Sequence, residues 1–534
     1  MKNNEFYLEN EIDFNDRPLK LISVKELNTE PKRFQTMAQI SVKKVTLFKH
    51  LIDKTEVMDF DLEANKENIH DLRNRLEQAK DYKTKEIIQK EIQKKSPNIL
   101  QKIVLIVSRL LSLIEHEGYG IGVNNDEVFF YNRRYWEKIY KDIIIAFLGD
   151  FAQKCGLESI EAQQFKTKEN LLKQFQVAAV IPDFNTKPDR VMIPVGNGTV
   201  MFKNGIPELK GFSKDHFLKY QLNFDYDPDA KAPIFQKFIE RVLPDKKLQY
   251  VLFEFLGYIF LKDMKIEKML LLYGFGSNGK SVLNDVIYGL LGKNNITNFS
   301  LASLCDSKSQ TRALIENTLL NFAQEIGNGA FDVDIFKTLV SNQSCEVKVL
   351  YKTPYMIENY GRFAFNCNTL PKHSENTDGY FRRLIIIPFN QTISDEEKDI
   401  NLAKKIVDSE LPGVFNLLIE GMIRLNRQKM FTKSEIIDNE ISKYRKESNS
   451  VLSFIDDENY HPSNINKLPL EVFYQLYKDY CNRNGFYACQ VKNLSSQLRN
   501  AGFEVKRSTN GFTNVFYDKI IPNIDSDGAT IIKI

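Results

Sequence analysis

The residues best placed to do chemistry are consecutive: Gly274, Phe275, Gly276, Ser277, Asn278, Gly279, Lys280 and Ser281. Gly274, Gly279, Lys280 and Ser281 satisfy the spacing GxxxxGK[ST]. Glycines at these positions allow a tight loop whose backbone N–H groups can surround a phosphate. A lysine next to them can reach the outer phosphate oxygens, and the Ser281 hydroxyl can ligate Mg²⁺. The expected ligands are therefore ATP and Mg²⁺.

Three further groups could complete phosphate chemistry. Glu325 closes the apolar run "TLLNFAQEI", where a carboxylate can polarise an attacking water. Gln324 precedes it where an acid would give Mg²⁺ more direct support. Asn366 and Asn368 end "GRFAFNCN", and an amide such as Asn368 can orient that water or sense the terminal phosphate. Arg382 and Arg383 open "YFRRLIIIPF". Arginine stabilises charge on a transferring phosphoryl group, often from a neighbouring subunit.

These residues need a scaffold that brings strand ends together. "MLLLY" before the glycine loop is a buried-strand run, and "KSVLNDVIYGLL" after it is a helix opening at the lysine. Strands and helices alternate over 268–390, as in a parallel sheet covered by helices. Upstream, 61–95 reads as charged helices with a stripe of Ile69, Leu72, Leu76 and Ala79, followed by an apolar helix from Ile99. "GYGIGVNNDEVFFYNRRYW" and "VMIPVGNGTVMF" read as hairpins. The acidic, proline-bearing 225–233 reads as a linker, with helical material over 233–262 and again over 402–447. The tail, from about Ser450, offers an amphipathic helix with Val472, Phe473, Leu476, Tyr477 and Tyr480 on one face. A second helix, "QVKNLSSQLRNAG", and a hairpin around Asn510-Gly511 follow. That order is the order of a winged helix, with Lys492, Arg499, Lys506 and Arg507 as candidate DNA contacts.

In this order between residues 274 and 383, the glycine loop, strand-end Glu, strand-end Asn and arginine doublet resemble a superfamily 3 helicase. The tokens "YGFGSNGKSVL", "FAFNCNTLP", "TDGYFRRLIIIPF" and "ELPGVFNLLIEGMIRL" are similar to its phage/plasmid primase–helicase branch with poxvirus-type relatives. The resemblance covers roughly 190–450. It implies an α/β fold with a P-loop, AAA+-like parallel sheet carrying helices on both faces. A mainly helical α+β N-terminal region would precede it, and a winged-helix-like domain would follow. The expected divisions are 1–225, a collar or linker 226–265, an ATPase core 266–395, a helical extension 396–449 and the domain 450–534.

The resemblance further implies a ring, usually a hexamer, that hydrolyses ATP between subunits and moves along single-stranded or forked DNA during replication. In such proteins a hairpin between the Glu and Asn strands enters the ring channel. Here it corresponds to the segment around "YKTP", with Lys352 as the matching cation, Lys348 beside it and Tyr351 available for base stacking. The family's glycine-acidic pair before that hairpin is replaced by "NQS" (342–344). An ordinary solvated surface hairpin is the plainer reading.

Composition narrows the rest. With 73 basic and 70 acidic residues and a net charge of +3, any nucleic-acid contact must come from local patches. The six cysteines include no CxxC and read as reduced, buried thiols. The most apolar runs, "ILQKIVLIVSRLLSLI" and "YVLFEFLGYIFL", carry charges and do not read as membrane spans. With no export signal, a cytoplasmic location is expected, the host's if a phage encodes the chain. Two rival functions stand beside a helicase. One is a bifunctional primase–helicase, for which Asp59 and Asp61 in "MDFDL" offer a metal pair or plain loop acids. The other is a non-translocating P-loop ATPase or switch.

Overall fold

The computed structural model describes residues 46–64, 66–181, 191–203, 205–326, 331–350, 353–371, 378–507, 511–523 and 530–533. The chain divides into two compact units, Met1–Arg133 with Glu137–Asp183 and Arg134–Trp136 with Phe184–Ile534.

In the first unit the helix Ile99–His116 buries Ile103, Ile106, Val107, Leu110 and Ile114, the one-sided spacing of an amphipathic helix. Asn98 and Gln101 cap it reciprocally. It packs with the helices Lys141–Lys154 and Phe165–Ala178. The expected hairpin pairs Gly120–Asn124 with Glu127–Tyr131. Its turn falls on Asn125 and Asp126, both at positive φ (50° and 61°), where a short side chain that can bond locally is tolerated. In the charged segment Ile69 and Leu72 are buried, while Leu76 and Ala79 are only partly covered. Asp59 and Asp61 both face Arg73: Asp59 is held by its guanidinium, and the Asp61 carboxylate lies 3.5 Å from it. Asp59 also accepts the Leu62 amide at 3.1 Å. Asp61 lies in the first turn of the short helix Phe60–Ala64, not in a loop, and Asp59 stands just before that helix.

The second unit is built on five parallel strands: β1 (Met269–Tyr273), β2 (Ile296–Thr297), β3 (Leu320–Ala323), β4 (Arg362–Cys367) and β5 (Leu384–Pro388). Their spatial order is β5-β1-β4-β3-β2. The fold is thus mixed α/β, with a five-stranded parallel sheet and helices.

Strands apolar at every position need cover on both faces, and they have it. Leu270, Leu272, Phe322, Ala364, Ile385 and Ile387 share a core with the helices Lys280–Leu291, Lys246–Tyr258 and Leu411–Gln428. Met269, Leu271, Phe363, Phe365, Leu384 and Ile386 point the other way, into a core with the helix Val333–Val340.

The segment expected as a linker is anchored instead. Asn416 donates to the carbonyls of Asp227, Pro228 and Ala230, and Tyr226 is buried edge-on against Phe415. Prolines had suggested a break in structure, but here they accompany an irregular strap whose backbone is satisfied by a side chain. Glu410 then caps the next helix, Pro233–Val242, accepting the Ile234 and Phe235 amides at 2.9 and 2.8 Å.

In the tail, the helices Leu470–Asn484 and Val491–Asn500 precede an antiparallel pair, Glu504–Arg507 with Thr513–Asn523. A strand the periodicity missed, Tyr460–Pro469, pairs with the latter. The buried stripe of the first helix is Phe473, Tyr477, Tyr480 and Cys481; Val472 and Leu476, expected on that face, are largely exposed. The stripe is narrower than the run of apolar residues suggested. All six cysteines are buried and unbridged. Among the described residues no single helix is long and apolar enough to cross a membrane.

Candidate functional site

β1 ends at Tyr273, and the chain turns at once through residues 274–281 into the helix Lys280–Leu291. Glycine is required twice. A Cβ on Gly274 would lie 2.5 Å from the Phe389 carbonyl oxygen. Gly279 has φ +85°, and a Cβ there would lie 2.8 Å from Val242 and 2.9 Å from Phe238. The helix Pro233–Val242 thus packs directly behind the loop.

The loop is tied down from several sides. Asn278 is buried and donates to the Phe389 carbonyl at 3.1 Å. The Ile393 amide donates to the Ser277 carbonyl at 2.8 Å. Ser277 itself has φ 58°. Phe275 is exposed beside Tyr273, with ring centroids 6.2 Å apart, and Gly276 borders open space. Ser281 is exposed in the first turn of the helix, where unpaired amides and the helix dipole favour an anion.

Lys280 is buried and turns back on the loop, donating to the Gly274 carbonyl and, at 3.2 Å, to Asn278 Oδ1. Burial pulls its ammonium below the ordinary lysine value. Beneath it, burial pushes the Cys367 thiol up to about 12, so Cys367 stays a neutral wall. A desolvated cation held only by carbonyl oxygens is a group that a phosphate would stabilise. The donor set present therefore fits a nucleotide phosphate, with the Ser281 hydroxyl available to a divalent cation.

Glu325 lies just past the end of β3, and Asn368 just past the end of β4, on the sheet edge where β1 enters the loop. Both are exposed, and the Glu325 carboxylate has no ion pair or hydrogen bond among the described residues. Asn366, two residues earlier, is buried and donates to Gln324 Oε1 at 3.3 Å; its side-chain Oδ1 has no partner among the described residues. Gln324 thus joins β3 to β4 through an amide pair.

The arginine doublet stands at the opposite edge. Register pairs Leu384 with Met269 and Pro388 with Tyr273, so Arg383 is level with Lys268, about 20 Å along β1 from Gly274, and Arg382 lies farther still. Arg383 is buried and committed: it sits 2.8 Å from Glu267 Oε2 and donates to Ser341 Oγ and the Gly379 carbonyl. Arg382 is exposed, with Glu267 Oε2 at 3.4 Å and the Lys268 ammonium on its carbonyl. Sequence reading missed Glu267 because its partner is 115 positions away; an acid just before a buried strand is the one signal it offered.

The hairpin between β3 and β4 is present as Cys345–Val347 paired with Tyr355–Ile357. Lys348 is exposed, 3.4 Å from Glu346. Tyr351 and Lys352 lie outside the described residues. In the tail Lys506 pairs with Glu504, and Arg507 donates to the Gly511 carbonyl at 3.2 Å. Arg499 donates to the Val505 carbonyl, and Lys492 is exposed.

Comparisons with known proteins find partial similarities. A family model described as "D5 N terminal like" matches residues 108–244, and one described as "Family of unknown function (DUF5906)" matches 272–383. The second range spans the glycine loop, Glu325, Asn368 and the doublet. "Putative helicase L207/L206" of Acanthamoeba polyphaga mimivirus is 22% identical over 370 residues, 62% of this chain and 37% of that protein. "Putative helicase 184R" of Invertebrate iridescent virus 6 is 23% identical over 292 residues, 49% of this chain and 28% of that protein. The chain therefore spans well under half the length of these curated relatives. Among solved structures, "The apo structure of NrS-1 C terminal region (305-718)" covers 78% of this chain and 99% of its own at 12% identity and a TM-score of 0.44. Over part of its length the chain is therefore similar to viral proteins named as putative helicases, and residues 108–244 match a D5-like family model.

Proposed function

We propose that the chain is an ATP-dependent DNA helicase of superfamily 3 type acting in the replication of a phage, plasmid or other mobile element. Its subunits form a ring, on this reading a hexamer, and ATP is hydrolysed between neighbours. The observation that carries the reading is the division of groups between two sheet edges. Lys280, Ser281, Glu325 and Asn368 gather where β1, β3 and β4 end, and Arg382 stands at the other edge.

Backbone amides of 274–281 and Lys280 would hold the phosphates of ATP, with Mg²⁺ at Ser281 supplying charge neutralisation. Glu325 takes the proton of the attacking water, and Asn368 orients that water. An arginine a strand-length away cannot serve its own loop, so Arg382 serves the neighbour's. Arg383 shapes the edge from which Arg382 projects. The hairpin 345–357, with Lys348, Tyr351 and Lys352, tracks the DNA backbone. The tail, with Lys506 and Arg507, acts as a winged-helix module on DNA. The test is ATP-driven strand displacement on a forked duplex, with native mass measured in ATP. A monomer that hydrolyses ATP without separating strands would favour the non-translocating switch instead.

A further inference from the structure

The second unit contains a cavity of about 830 Å³ that the reaction above does not use. It opens at the N-terminal edge of the parallel sheet, away from the glycine loop. Its walls come from the turn before β1 (Lys262, Lys265), the residue pair Asn317 and Leu319 before β3, and Glu358 and Asn359 before β4. Lys219 and Lys429 complete it, so four lysines face two acids, Asp263 and Glu358, with His216 also in the wall.

The cations are crowded. Lys262 keeps contact with the cavity solvent and donates to Asn359 Oδ1. Surrounding protein, then repulsion from Lys219 and Arg362, pushes its ammonium down to about 8, against a weaker pull from Asp263. Arg362 cannot turn away, because it is buried and bonded to the carbonyls of Leu261, Lys262 and Met264. An anion entering the cavity would ease that repulsion.

We propose that this cavity is a second phosphate site, separate from residues 274–281, which seats the sugar-phosphate backbone of a single nucleic-acid strand. The volume exceeds what one phosphate needs. Tyr220, Phe217 and Phe260 supply apolar and aromatic wall beside the lysines, the combination that holds single strands without reading sequence. Asn342 at one end of the hairpin 345–357 and Glu358 at the other both line the cavity, so a strand following that hairpin passes its mouth. The proposal rests on the helicase reading and adds a contact to it.

The test is anisotropy of a fluorescein-labelled oligothymidylate on the full chain, with Lys280-dependent ATP hydrolysis measured in parallel without DNA. Lys262→Glu and Lys265→Glu should each weaken oligonucleotide binding about tenfold or more and leave basal hydrolysis unchanged. Because a bound phosphate restores the Lys262 proton, wild-type affinity should fall about tenfold between about pH 7 and about pH 9. Lys262→Arg, always charged, should bind as wild type at the lower pH and lose that dependence. Unchanged affinity in both glutamate variants, or an undiminished pH slope in Lys262→Arg, would overturn the site. So would displacement of the oligonucleotide by inorganic phosphate or dTMP at equal phosphate concentration, which would mark a small-anion pocket. Absence of Lys280-dependent hydrolysis in the wild type would instead remove the helicase reading beneath it.

Discussion

Arg383 and Glu267 face each other at 2.8 Å, at the entrance to the two adjacent strands β5 and β1, while Arg382 next door stays exposed. Two identical side chains in sequence are thus separated by the fold into a structural and an available one. Without Arg383, Glu267 keeps only the exposed Arg382 at 3.4 Å and Ser341 loses its guanidinium partner, so Arg383→Ala should cost about 2 kcal/mol and lower the melting temperature. Arg382→Ala should leave the melting temperature unchanged. Mixed with wild-type subunits, it should depress hydrolysis more steeply than its fraction. Activity that simply tracks the wild-type fraction would remove the trans role.

Lys280→Ala should abolish ATP hydrolysis, whereas Glu325→Gln should retain ATP binding and slow turnover by about a hundredfold or more. Filter binding of labelled ATP separates the two. Normal turnover in both variants would end the assignment of this loop to catalysis.

The lowered ammonium of Lys280 gives a pH signature. Between the folded value and the ordinary 10.5, the unfolded chain binds one more proton than the native one. Native stability therefore rises with pH across that window, and the cost of the buried charge is fully present below it. Compared with Lys280→Met, the ATP-free wild type should gain stability steadily as pH rises toward 10.5. Parallel denaturation curves at all pH values would show that the lysine is not desolvated.

If the hairpin 345–357 contacts DNA, Lys352→Ala should reduce strand displacement far more than basal ATP hydrolysis. Lys348→Ala should do so to a smaller degree, because Glu346 already holds part of its charge. Intact unwinding in the double variant would take the hairpin out of the mechanism.

Glu254 is fully buried between two helices, accepting from Arg424 Nε at 2.7 Å and from the Thr432 amide at 2.8 Å. Glu254→Ala should destabilise the second unit by about 3 kcal/mol or more, leaving Arg424 unpaired beside Tyr250. A drop of roughly 5 °C or more in melting temperature would register it. Glu254→Gln, which keeps the Thr432 bond, should cost less.

Much of the parallel-sheet core is legible in the chain alone, because its signals are local. Strands covered on both faces are largely apolar, as "MLLLY" and "LIIIP" are, although Asn321 and Asn366 are buried in β3 and β4. A loop that passes within contact of Phe389 and Phe238 must carry glycine at 274 and 279. The tail was read less well. Val472 and Leu476 fit the helical period, but whether a side chain on that period is covered depends on the strand Tyr460–Pro469, paired far along the chain. The 225–233 strap was misread for the same reason, since Asn416, which holds it, is 186 positions or more away.

What the sequence by itself determined is the inventory of groups: a glycine-rich loop with a lysine and a serine, a carboxylate and an amide at strand ends, and paired arginines. Each of these is set by residue type and short-range spacing. Only the tertiary structure decided which arginine is exposed, which edge of the sheet each group occupies, and that lysines from distant turns crowd one cavity. Those are facts of strand order and register, and strand order is chosen by long-range packing, to which neighbouring residues in the chain are blind.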